Sequence, residues 1–348
     1  MEYILPAIIG FLLSLIGILF ALKYFPRLQL LDKPEKYGLT RKPIPYFGGL
    51  ILYLAFFLTV FLFVDFDMKL WGVFVASTIL IFVNFWDDLK ALKWYFRLPV
   101  QFLVAVIVLA TGTGILEISN PLGGVVLLNQ IILPIDIFSF HFDFIVLADS
   151  LVILWIVVMM NAMNWMDGVN GLPSGLAIIS ALAIFFLSRE NFHLVDQSVV
   201  SNLSIILVFV CLAFWLFDFY PAKILMGDTG SMFLGFIIAV LAVLSGAKIA
   251  TTALVLGFPL LDFVWTILRR VLVEKKSPFK GDLKHLHHRF IKAGFTERQT
   301  LFAFYFICTA FGAIALFTSN STQKLVAILI MVFCMVILGG WVVVKGRD

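Results

Sequence analysis

The stretch MGDTGSMFLGFIIAVLAVL, residues 226–244, decides the fold of this chain. A polar opening that contains one carboxylate, Asp228, leads directly into an uncharged and mainly apolar segment. About 20 mainly apolar residues are needed to cross a bilayer as a helix. The stretch therefore predicts a membrane-spanning helix that begins at a polar end.

The composition of the whole chain agrees with this prediction. Of 348 residues, 62% are hydrophobic and only 13% are charged, and the mean hydropathy is +1.07. A soluble domain is roughly 45–50% apolar and about 25% charged, so the composition excludes a water-soluble protein. The first apolar run, Ile4 to Ala21, is too long for a signal peptide and lacks a cleavage site, which indicates a retained span. Cysteines 211, 308 and 334 lie in apolar runs and imply no disulfide framework.

Hydropathy predicts eleven transmembrane helices in a single domain over residues 1–348. The predicted spans are 4–25, 47–64, 70–86, 99–116, 145–163, 172–188, 199–219, 230–246, 249–270, 300–318 and 323–344. Open sheet edges are excluded in lipid, so we expect an all-α polytopic helical bundle. Pro259 predicts a break or a kink in the ninth span. Between the fourth and fifth spans, residues 117–144 favour a small hairpin.

The distribution of cations orients the predicted bundle. Eleven crossings put the termini on opposite sides, and twenty Lys and Arg residues lie on the side of the C-terminus against four on the other. The positive-inside rule then places the N-terminus outside and the C-terminus in the cytoplasm. The polar clusters fall in the predicted cytoplasmic loops, at about 26–46, 87–98, 164–171, 220–229 and 271–299.

Asp87 and Asp88 end the third predicted span. Adjacent like charges repel, so the pair needs a counter-cation, water or a shared proton. Mg²⁺ suits such a pair, because it takes oxygen ligands and bridges to substrate phosphates. The alternative is a pair of solvated acids that caps the span beside Lys90 and Lys93.

Asn161, Asn164 and Asp167 are spaced three apart, which places them along one face of a helix. Gly168 follows and lets a ligand approach the backbone. A helix cap explains the glycine but not two amides and a carboxylate at the end of an apolar span. Polar residues at such depth are costly and usually functional.

Asp228 lies in the segment that opens the eighth predicted span. Thr229 or Ser231 is expected to cap that helix, whose backbone N–H groups suit an anion, while Asp228 suits a metal. The alternative is a plain turn with an N-cap, because Gly-Asp-x-Gly is a common pattern.

A histidine-rich segment, His285-Leu-His287-His288-Arg289, lies in the large basic loop beside Lys280 and Lys284. Imidazoles bind metals, donate hydrogen bonds to phosphate and transfer protons. A zinc site would need further Cys or His at set spacings. The segment therefore favours phosphate binding, and the alternative is a solvated loop that attracts anionic lipid headgroups.

Asp262, inside the ninth predicted span, needs a partner there. Arg269 or Arg270, one to two turns further on, is expected to supply it. A structural ion pair and a role in the site remain alternatives.

Arg41 and Lys42 precede the second predicted span. They are candidates for phosphate contacts, although setting the topology is enough to explain them. Gly48 and Gly49 allow tight helix packing at the start of that span.

Together these segments resemble the polyprenyl-phosphate N-acetylhexosamine-1-phosphate transferases, also called glycosyltransferase family 4. The residues that carry the resemblance are Pro43-Ile-Pro45, Asp87-Asp88, Asn161-x-x-Asn164-x-x-Asp167-Gly168, Met226-Gly227-Asp228-x-Gly230-Ser231, Pro259-x-x-Asp262, Arg269-Arg270, Ser277-Pro278-Phe279 and His285-Leu-His287-His288-Arg289. The resemblance implies transfer of a sugar-1-phosphate from a UDP-sugar to undecaprenyl phosphate, with release of UMP. It also implies a need for Mg²⁺, for which Mn²⁺ can substitute, at the cytoplasmic face of a bacterial cytoplasmic membrane.

The resemblance also implies roles for individual residues. Asp228, with Asn164 nearby, is similar to the metal ligand, and Asp87 and Asp88 to the catalytic pair that handles the lipid phosphate. Asp167 is expected to contact the nucleotide or the metal. The remaining substrate-binding candidates are Arg41, Lys42, Asn161, His285, His287, His288 and Arg289.

Two positions depart from the family pattern. Ala91 stands at the last place of the motif named Asp-Asp-x-x-Asp, and Leu225 stands where many relatives carry phenylalanine. If that phenylalanine ring stacks on uracil, another residue must replace it here.

Two branches of the family compete for the donor. Eleven spans and a His-x-His-His loop favour GlcNAc-1-phosphate transfer, the first membrane step of an envelope polysaccharide such as lipopolysaccharide or teichoic acid. The alternative is phospho-MurNAc-pentapeptide transfer in peptidoglycan synthesis. The expected partners are a UDP-N-acetylhexosamine, undecaprenyl phosphate and the lipid bilayer, with no nucleic acid and with a homodimer left open.

Two alternative hypotheses from other functional classes are a membrane transporter and a scaffold for wall-synthesis enzymes. A transporter should place polar residues near the bilayer midplane and show matching halves, whereas here the polar groups cluster at one face. A scaffold would have no need for Asp228.

Overall fold

The structure is a computed structural model that describes residues 2–37, 41–120, 124–137, 140–190, 197–246, 249–277, 285–318 and 320–345. Its helices are α1 (Ile4–Tyr24), α2 (Gly48–Phe63), α3 (Met68–Lys90), α4 (Trp94–Ala110), α5 (Val146–Met166), α6 (Leu172–Glu190), α7 (Ser198–Asp218), α8 (Gly227–Leu244), α9 (Ile249–Val255), α10 (Gly257–Leu268), α11 (Leu286–Lys292), α12 (Glu297–Phe317) and α13 (Ser321–Lys345). Parts of two predicted cytoplasmic loops, 38–40 and 278–284 with Lys280 and Lys284, lie outside the described residues.

The prediction of an all-α membrane bundle is confirmed. In the described ranges eight helices are long and apolar enough to cross a membrane, and a bent pair, α9 with α10, raises the number to nine. Two further apolar helices, α2 and α4, are shorter. Every predicted span coincides with a helix or with the bent pair, but the count of eleven crossings and the orientation of the termini stay predictions.

The ninth predicted span is broken, as Pro259 led us to expect. The axes of α9 and α10 differ by 83°, and the break falls at Leu256, three residues before the proline. Pro259 lies in the first turn of α10, where a helix has no use for the missing N–H. A new helix therefore starts inside the span, and Asp262 lies about one turn into it.

Helix α8 is the centre of the bundle and is almost entirely buried. It packs against α2, α3, α5 and α6. The approaches are close at two glycines: a Cβ on Gly49 would lie 2.1 Å from the nitrogen of Gly230, and one on Gly235 would lie 2.6 Å from the carbonyl oxygen of Met159. The tight packing predicted for the Gly48-Gly49 pair is confirmed.

Between α4 and α5 the chain forms two antiparallel hairpins, where the sequence predicted one small hairpin. Strand β1 (Glu117–Ser119) pairs with β2 (Val125–Leu127), and β3 (Ile132–Ile137) pairs with β4 (Phe140–Ile145). The second hairpin leads into α5, where the buried carboxylate of Asp149 accepts the backbone N–H of Ile145 at 2.7 Å. These hairpins lie at the end of α5 opposite to Asn164.

Candidate functional site

Four helix ends meet at one end of the bundle. The C-terminal turns of α3 and α5 and the N-terminal turns of α4 and α8 bring together Asp87, Arg97, Asn164 and Asp228. The chain passes up and down through the bundle, so the end of one helix and the start of the next share a side. The carboxylates that the sequence singled out are therefore neighbours in space.

Asp88 caps helix α8 from another helix. Its Oδ1 accepts the N–H of Asp228 at 3.0 Å, and its Oδ2 accepts the N–H of Thr229 at 3.1 Å and the Thr229 hydroxyl. The Tyr46 hydroxyl donates to Oδ1 at 3.2 Å. Unpaired N–H groups and the helix dipole make a helix N-terminus a good site for an anion, and here a carboxylate of the protein occupies it.

The expectation that Thr229 or Ser231 caps α8 is wrong. Thr229 donates to Asp88, and the Ser231 hydroxyl donates to the carbonyl of Gly227 at 3.1 Å. The two oxygens of a carboxylate can accept both helix amides at once, and Asp88 reaches them from α3. Gly227 has a φ of 71°, and a Cβ there would lie 2.7 Å from Asp88 Oδ2, so the turn requires glycine.

Arg97 bridges the first and the last carboxylate of the cluster. Its Nη1 lies 2.9 Å from Asp87 Oδ2, and its Nη2 lies 2.8 Å from Asp228 Oδ2. Asp87 Oδ1 accepts the N–H of Leu92 at 2.6 Å, and the Asp87 residue is only 5% exposed. Asp87 and Asp88 are thus held by specific partners, which excludes the reading of two solvated acids.

The two asparagines of α5 face different partners. Asn164 Nδ2 donates to Asp228 Oδ1 at 2.9 Å and to the Ser231 hydroxyl at 3.0 Å. Asn161, about one turn earlier, donates to Gln101 Oε1 of α4 at 2.6 Å and does not contact the carboxylates. The predicted neighbourhood of Asn164 and Asp228 is confirmed, while Asn161 lies in an amide pair between α4 and α5.

Asp167 follows α5 and is partly buried. Its backbone N–H donates to the Asn164 carbonyl at 3.2 Å, whereas its carboxylate has no hydrogen-bond or ion-pair partner among the residues described. Burial raises the pKa of Asp167 well above its usual range, and the negative charges of Asp218, Asp228 and Asp88 raise it further. Asp167 therefore lies within electrostatic reach of the acidic cluster and faces no compensating cation there.

The histidine segment is anchored by Asp262. His285 Nδ1 lies 3.1 Å from Asp262 Oδ2, and the N–H of Leu286 donates to Asp262 Oδ1 at 3.0 Å. The expected pairing of Asp262 with Arg269 or Arg270 is wrong, because both of its oxygens are taken by the returning chain. Arg269 pairs instead with Glu274 at 2.8 Å, and the Arg270 guanidinium lies 5.0 Å from the centre of the Trp165 ring.

His287 and His288 lie against Gly168. A Cβ on Gly168 would lie 2.5 Å from His287 Nε2 and 3.2 Å from His288 Nε2, so this contact requires glycine. His287 is fully buried, and in the described part of the chain neither ring nitrogen has a hydrogen-bond partner. Burial lowers the pKa of His287 well below its usual range, and His288 and His285 lower it further, so the ring is neutral.

Arg41 and Lys42 lie outside the acidic cluster. Arg41 Nη1 donates to Asp32 Oδ1 at 3.2 Å, and the buried Asp32 also accepts the N–H of Ile44 at 2.8 Å. Lys42 is exposed. The arginine fastens the segment before α2, which is a structural role, and its predicted contact with substrate stays a prediction.

The sequence patterns do not single out three residues of the site, Arg97, Tyr46 and Gln101. The amide of Gln101 is buried in an apolar helix, which is the signal that flagged Asn161. Nothing in the sequence pairs Arg97 with Asp228, because they lie on different helices far apart in the chain.

The donor set fits a magnesium ion bound together with substrate. In the residues that the structure describes, no group of three His, Cys, Asp or Glu side chains is arranged to hold a metal. Mg²⁺ usually takes one or two carboxylates and completes its shell with water and substrate phosphates. Asp87 and Asp228 converge on one guanidinium, so this position already stabilises a cation.

Comparison with known proteins gives consistent matches. The sequence model of glycosyl transferase family 4 matches residues 70–246, about half of the chain. The probable undecaprenyl-phosphate N-acetylglucosaminyl 1-phosphate transferase of Bacillus subtilis is 28% identical over 335 residues, which cover 92% of this chain and 87% of the relative. The undecaprenyl-phosphate alpha-N-acetylglucosaminyl 1-phosphate transferase of Thermotoga maritima is 29% identical over 285 residues, 82% of this chain and 79% of the relative.

A relative from the other branch matches less of the chain. The phospho-N-acetylmuramoyl-pentapeptide-transferase of Staphylococcus carnosus is 33% identical, but over 168 residues that cover 47% of this chain and 50% of the relative.

Proposed function

The chain belongs to glycosyl transferase family 4, and we propose that it transfers N-acetylglucosamine-1-phosphate from UDP-GlcNAc to undecaprenyl phosphate and releases UMP. The names of the Bacillus and Thermotoga relatives support this acceptor and this sugar phosphate. The observation that carries the proposal is the bridge from Asp87 through Arg97 to Asp228, with Asn164 beside it, at one end of an apolar bundle. Such a site holds phosphates and a cation next to lipid.

The reaction in this proposal is a direct displacement. An oxygen of the lipid phosphate attacks the β-phosphorus of UDP-GlcNAc, the bond from that phosphorus to the bridging oxygen breaks, and UMP leaves with that oxygen. A phosphate monoester has a second pKa of about 6, so the acceptor is largely dianionic at neutral pH and needs no strong base. Positioning and charge stabilisation carry most of the catalysis in phosphoryl transfer.

The partners of Asp87 and Asp88 favour this route over a covalent aspartyl intermediate. Both oxygens of Asp88 accept hydrogen bonds from the start of α8, and both oxygens of Asp87 are held by Leu92 and Arg97. A carboxylate held in this way must first break those contacts to act as a nucleophile. We therefore assign to Asp88 the fixing of α8 and to Asp87 the placing of Arg97 beside the lipid phosphate.

Asp228 is the proposed magnesium ligand, with Asn164 completing the protein's share. When bound, the ion neutralises the donor diphosphate and the charge that develops on the departing UMP. The Asn164 amide orients the Asp228 carboxylate through the hydrogen bond to Oδ1. Arg97 adds a fixed positive charge at the same place.

The histidine segment is the proposed contact with the sugar-nucleotide. His287 and His288 lie against Gly168, directly after Asp167. A neutral buried imidazole offers one N–H donor and one acceptor, which suits a sugar hydroxyl or a phosphate oxygen. These side chains thus orient the donor, while the acidic cluster handles the charge.

Transfer of GlcNAc-1-phosphate is favoured over the phospho-MurNAc-pentapeptide reaction, because the relative named for the latter matches about half of this chain. We propose that the protein crosses a bacterial cytoplasmic membrane eleven times with its N-terminus outside. The excess of cations on the side of the C-terminus supports a cytoplasmic active site.

The experiment mixes the purified protein with undecaprenyl phosphate, Mg²⁺ and one of several UDP-sugars, and measures UMP release. We expect release with UDP-GlcNAc that requires both the lipid and Mg²⁺. The matched control is Asp149→Asn, which alters a buried carboxylate at the far end of α5 and should leave turnover unchanged. Turnover with UDP-MurNAc-pentapeptide alone would move the protein to the other branch, and no turnover with any UDP-sugar would refute the proposal.

A further inference from the structure

Asp262 makes two contacts that tie the histidine segment to the broken helix. Its residue is 2% exposed, its Oδ2 faces His285 Nδ1 at 3.1 Å, and its Oδ1 accepts the first N–H of α11 from Leu286 at 3.0 Å. The Thr266 hydroxyl lies 3.5 Å from the same Nδ1. The carboxylate therefore holds both the ring of His285 and the start of the helix that carries His287 and His288.

The contact with Asp262 decides which nitrogen of His285 carries the proton. A carboxylate only accepts hydrogen bonds, so Nδ1 must be the N–H that faces Asp262. The other nitrogen, Nε2, is then the one left for a further partner. A hydrogen bond to one ring nitrogen generally sets the state of the other in this way.

Ring contacts extend the effect of Asp262 beyond His285. The His285 ring lies 4.8 Å from the Trp165 ring on one side and 5.7 Å from the His287 ring on another, and the two imidazoles are nearly parallel, at 2°. Trp165 belongs to α5, two residues before Asp167. His285 is thus packed between α5 and the rest of the histidine segment, so its placement fixes the distance between the segment and Asp167.

We propose that Asp262 is a positioning residue of the active site, which fixes the proton of His285 on Nδ1, presents Nε2 to the sugar-nucleotide and holds the imidazole row against Gly168. This inference rests on the function proposed above, in which the histidine segment contacts the donor. This proposal also assigns a function to the bend between α9 and α10. By starting a new helix inside the span, the bend places a carboxylate where the large loop returns.

The decisive variant is Asp262→Asn. It keeps the size of the side chain and an acceptor for the Leu286 N–H, but it turns an N–H group towards His285 and forces the proton onto Nε2. We expect kcat/KM for UDP-GlcNAc to fall by about ten- to a hundred-fold, the range known for residues that orient metal-binding histidines. Asp149→Asn, again a buried carboxylate that accepts one backbone N–H, is the matched control and should retain the wild-type value.

A double-mutant cycle separates positioning from plain structural support. If Asp262 acts through His285, Asp262→Asn has less than about a two-fold further effect in a His285→Ala background, because coupled residues are not additive. If Asp262 only capped α11, Asp262→Asn would lower kcat/KM by the same factor in the wild-type and the His285→Ala backgrounds. That result would overturn the proposal. Should Asp262→Asn fail to accumulate, Asp262→Glu is compared with Asp262→Gln, and the proposal requires the carboxylate to retain more activity.

A spectroscopic measurement tests the proton without relying on turnover. The chain has five histidines, so ¹⁵N-labelled histidine gives few signals, and His285→Ala assigns the one of interest. We expect a protonated Nδ1 and an unprotonated Nε2 for His285 at pH 8, and the reverse in Asp262→Asn. An Nε2–H form in the wild type would refute the proposal, whereas a wild type that turns over no UDP-sugar would refute the proposed function instead.

Discussion

The acidic and the histidine halves of the site differ in how their polar groups are satisfied. In the acidic half, every carboxylate oxygen of Asp87, Asp88 and Asp228 has a partner within the protein. In the histidine half, the buried ring of His287 has none among the described residues. The acidic half is therefore assembled in advance, while the histidine half holds hydrogen-bonding capacity that a ligand can use.

The difference follows from the elements that build each half. Helix ends of a packed bundle supply the carboxylates, and a helix end has N–H groups and a dipole to offer them. His287 and His288 lie in the short helix α11 and His285 directly precedes it. Asp262 holds the start of this helix, and Leu286 and Phe290 pack it into the core. A cluster of carboxylates with partners inside the protein and a row of imidazoles thus meet across the segment that follows α5.

The largest expected effect is at the centre of the acidic half. Asp228→Asn removes one of the two carboxylates that Arg97 bridges and the proposed metal ligand, so we expect Mg²⁺-dependent UMP release to fall on the order of 1,000-fold. Replacement of an exposed carboxylate outside this cluster should leave UMP release nearly unchanged. Turnover within about two-fold of wild type would show that the metal lies elsewhere.

A somewhat smaller effect is expected from the bridging cation. Arg97→Met leaves Asp87 and Asp228 facing each other without compensation, and we expect a loss of turnover on the order of 100-fold and a lower Tm. Arg97→Lys should recover only part, because one ammonium cannot replace a forked guanidinium at two carboxylates.

The control for Arg97 is Lys90→Met at the same corner of the bundle. Lys90 is exposed, and its ammonium lies 4.4 Å from the centre of the Trp86 ring rather than on the carboxylates. If Lys90→Met and Arg97→Met lost activity equally, a general loss of positive charge would explain both.

The contact between the halves is tested by Gly168→Ala. The added methyl group would lie 2.5 Å from His287 Nε2, so the imidazole row has to shift away from Asp167. A displacement of about 1 Å in an active site can lower the reaction rate by about 100-fold. We therefore expect kcat/KM for the donor to fall ten-fold or more. Gly340→Ala is the control, because a Cβ there meets nothing within 4 Å. An equal loss in both variants would show that the effect does not depend on the contact with His287.

The smallest effect is a pH dependence of stability that belongs to the histidine half. A histidine in the unfolded chain has a pKa of about 6.5. In the folded protein, burial holds the pKa of His287 well below that value. The unfolded chain therefore binds the proton first as the pH falls below about 6.5, and stability is lost by at most about 1.4 kcal/mol per pH unit.

His287→Gln removes this proton binding, so its Tm should fall less than that of the wild type between pH 7.5 and pH 5.5. The raised pKa of Asp167 acts in the opposite direction in both proteins and cancels in the comparison. Equal Tm shifts would show that His287 is protonated in the folded state or is solvated.

The sequence is enough to predict the helices and to collect the site residues, because apolar runs and polar clusters are local patterns. It places Asp87, Asn164, Asp167 and Asp228 on one side, and the structure brings them together. It does not predict partners that are distant in the chain. Local spacing predicts that Asp262 pairs with the nearest arginines and that α8 is capped by its own residues, because it carries no information on which segment packs alongside.

The two contacts that the sequence does not predict escape prediction for the same physical reason. Asp88 reaches the start of α8, and His285 reaches Asp262, only after helices far apart in the sequence have packed. A bend inside a span is predictable from a proline, but the residue that the bend delivers to a loop is not. The register of the bundle decides such contacts, and hydropathy leaves that register open.

The capping of α8 by Asp88 has a consequence for how the protein is made. The two residues joined by the bond from the Asp228 N–H are 140 positions apart, and a chain emerges and folds from its N-terminus onwards. During synthesis the newly inserted α3 therefore carries a bare carboxylate at the membrane surface until five more helices have entered. An incomplete or misassembled chain would keep that carboxylate without its amides.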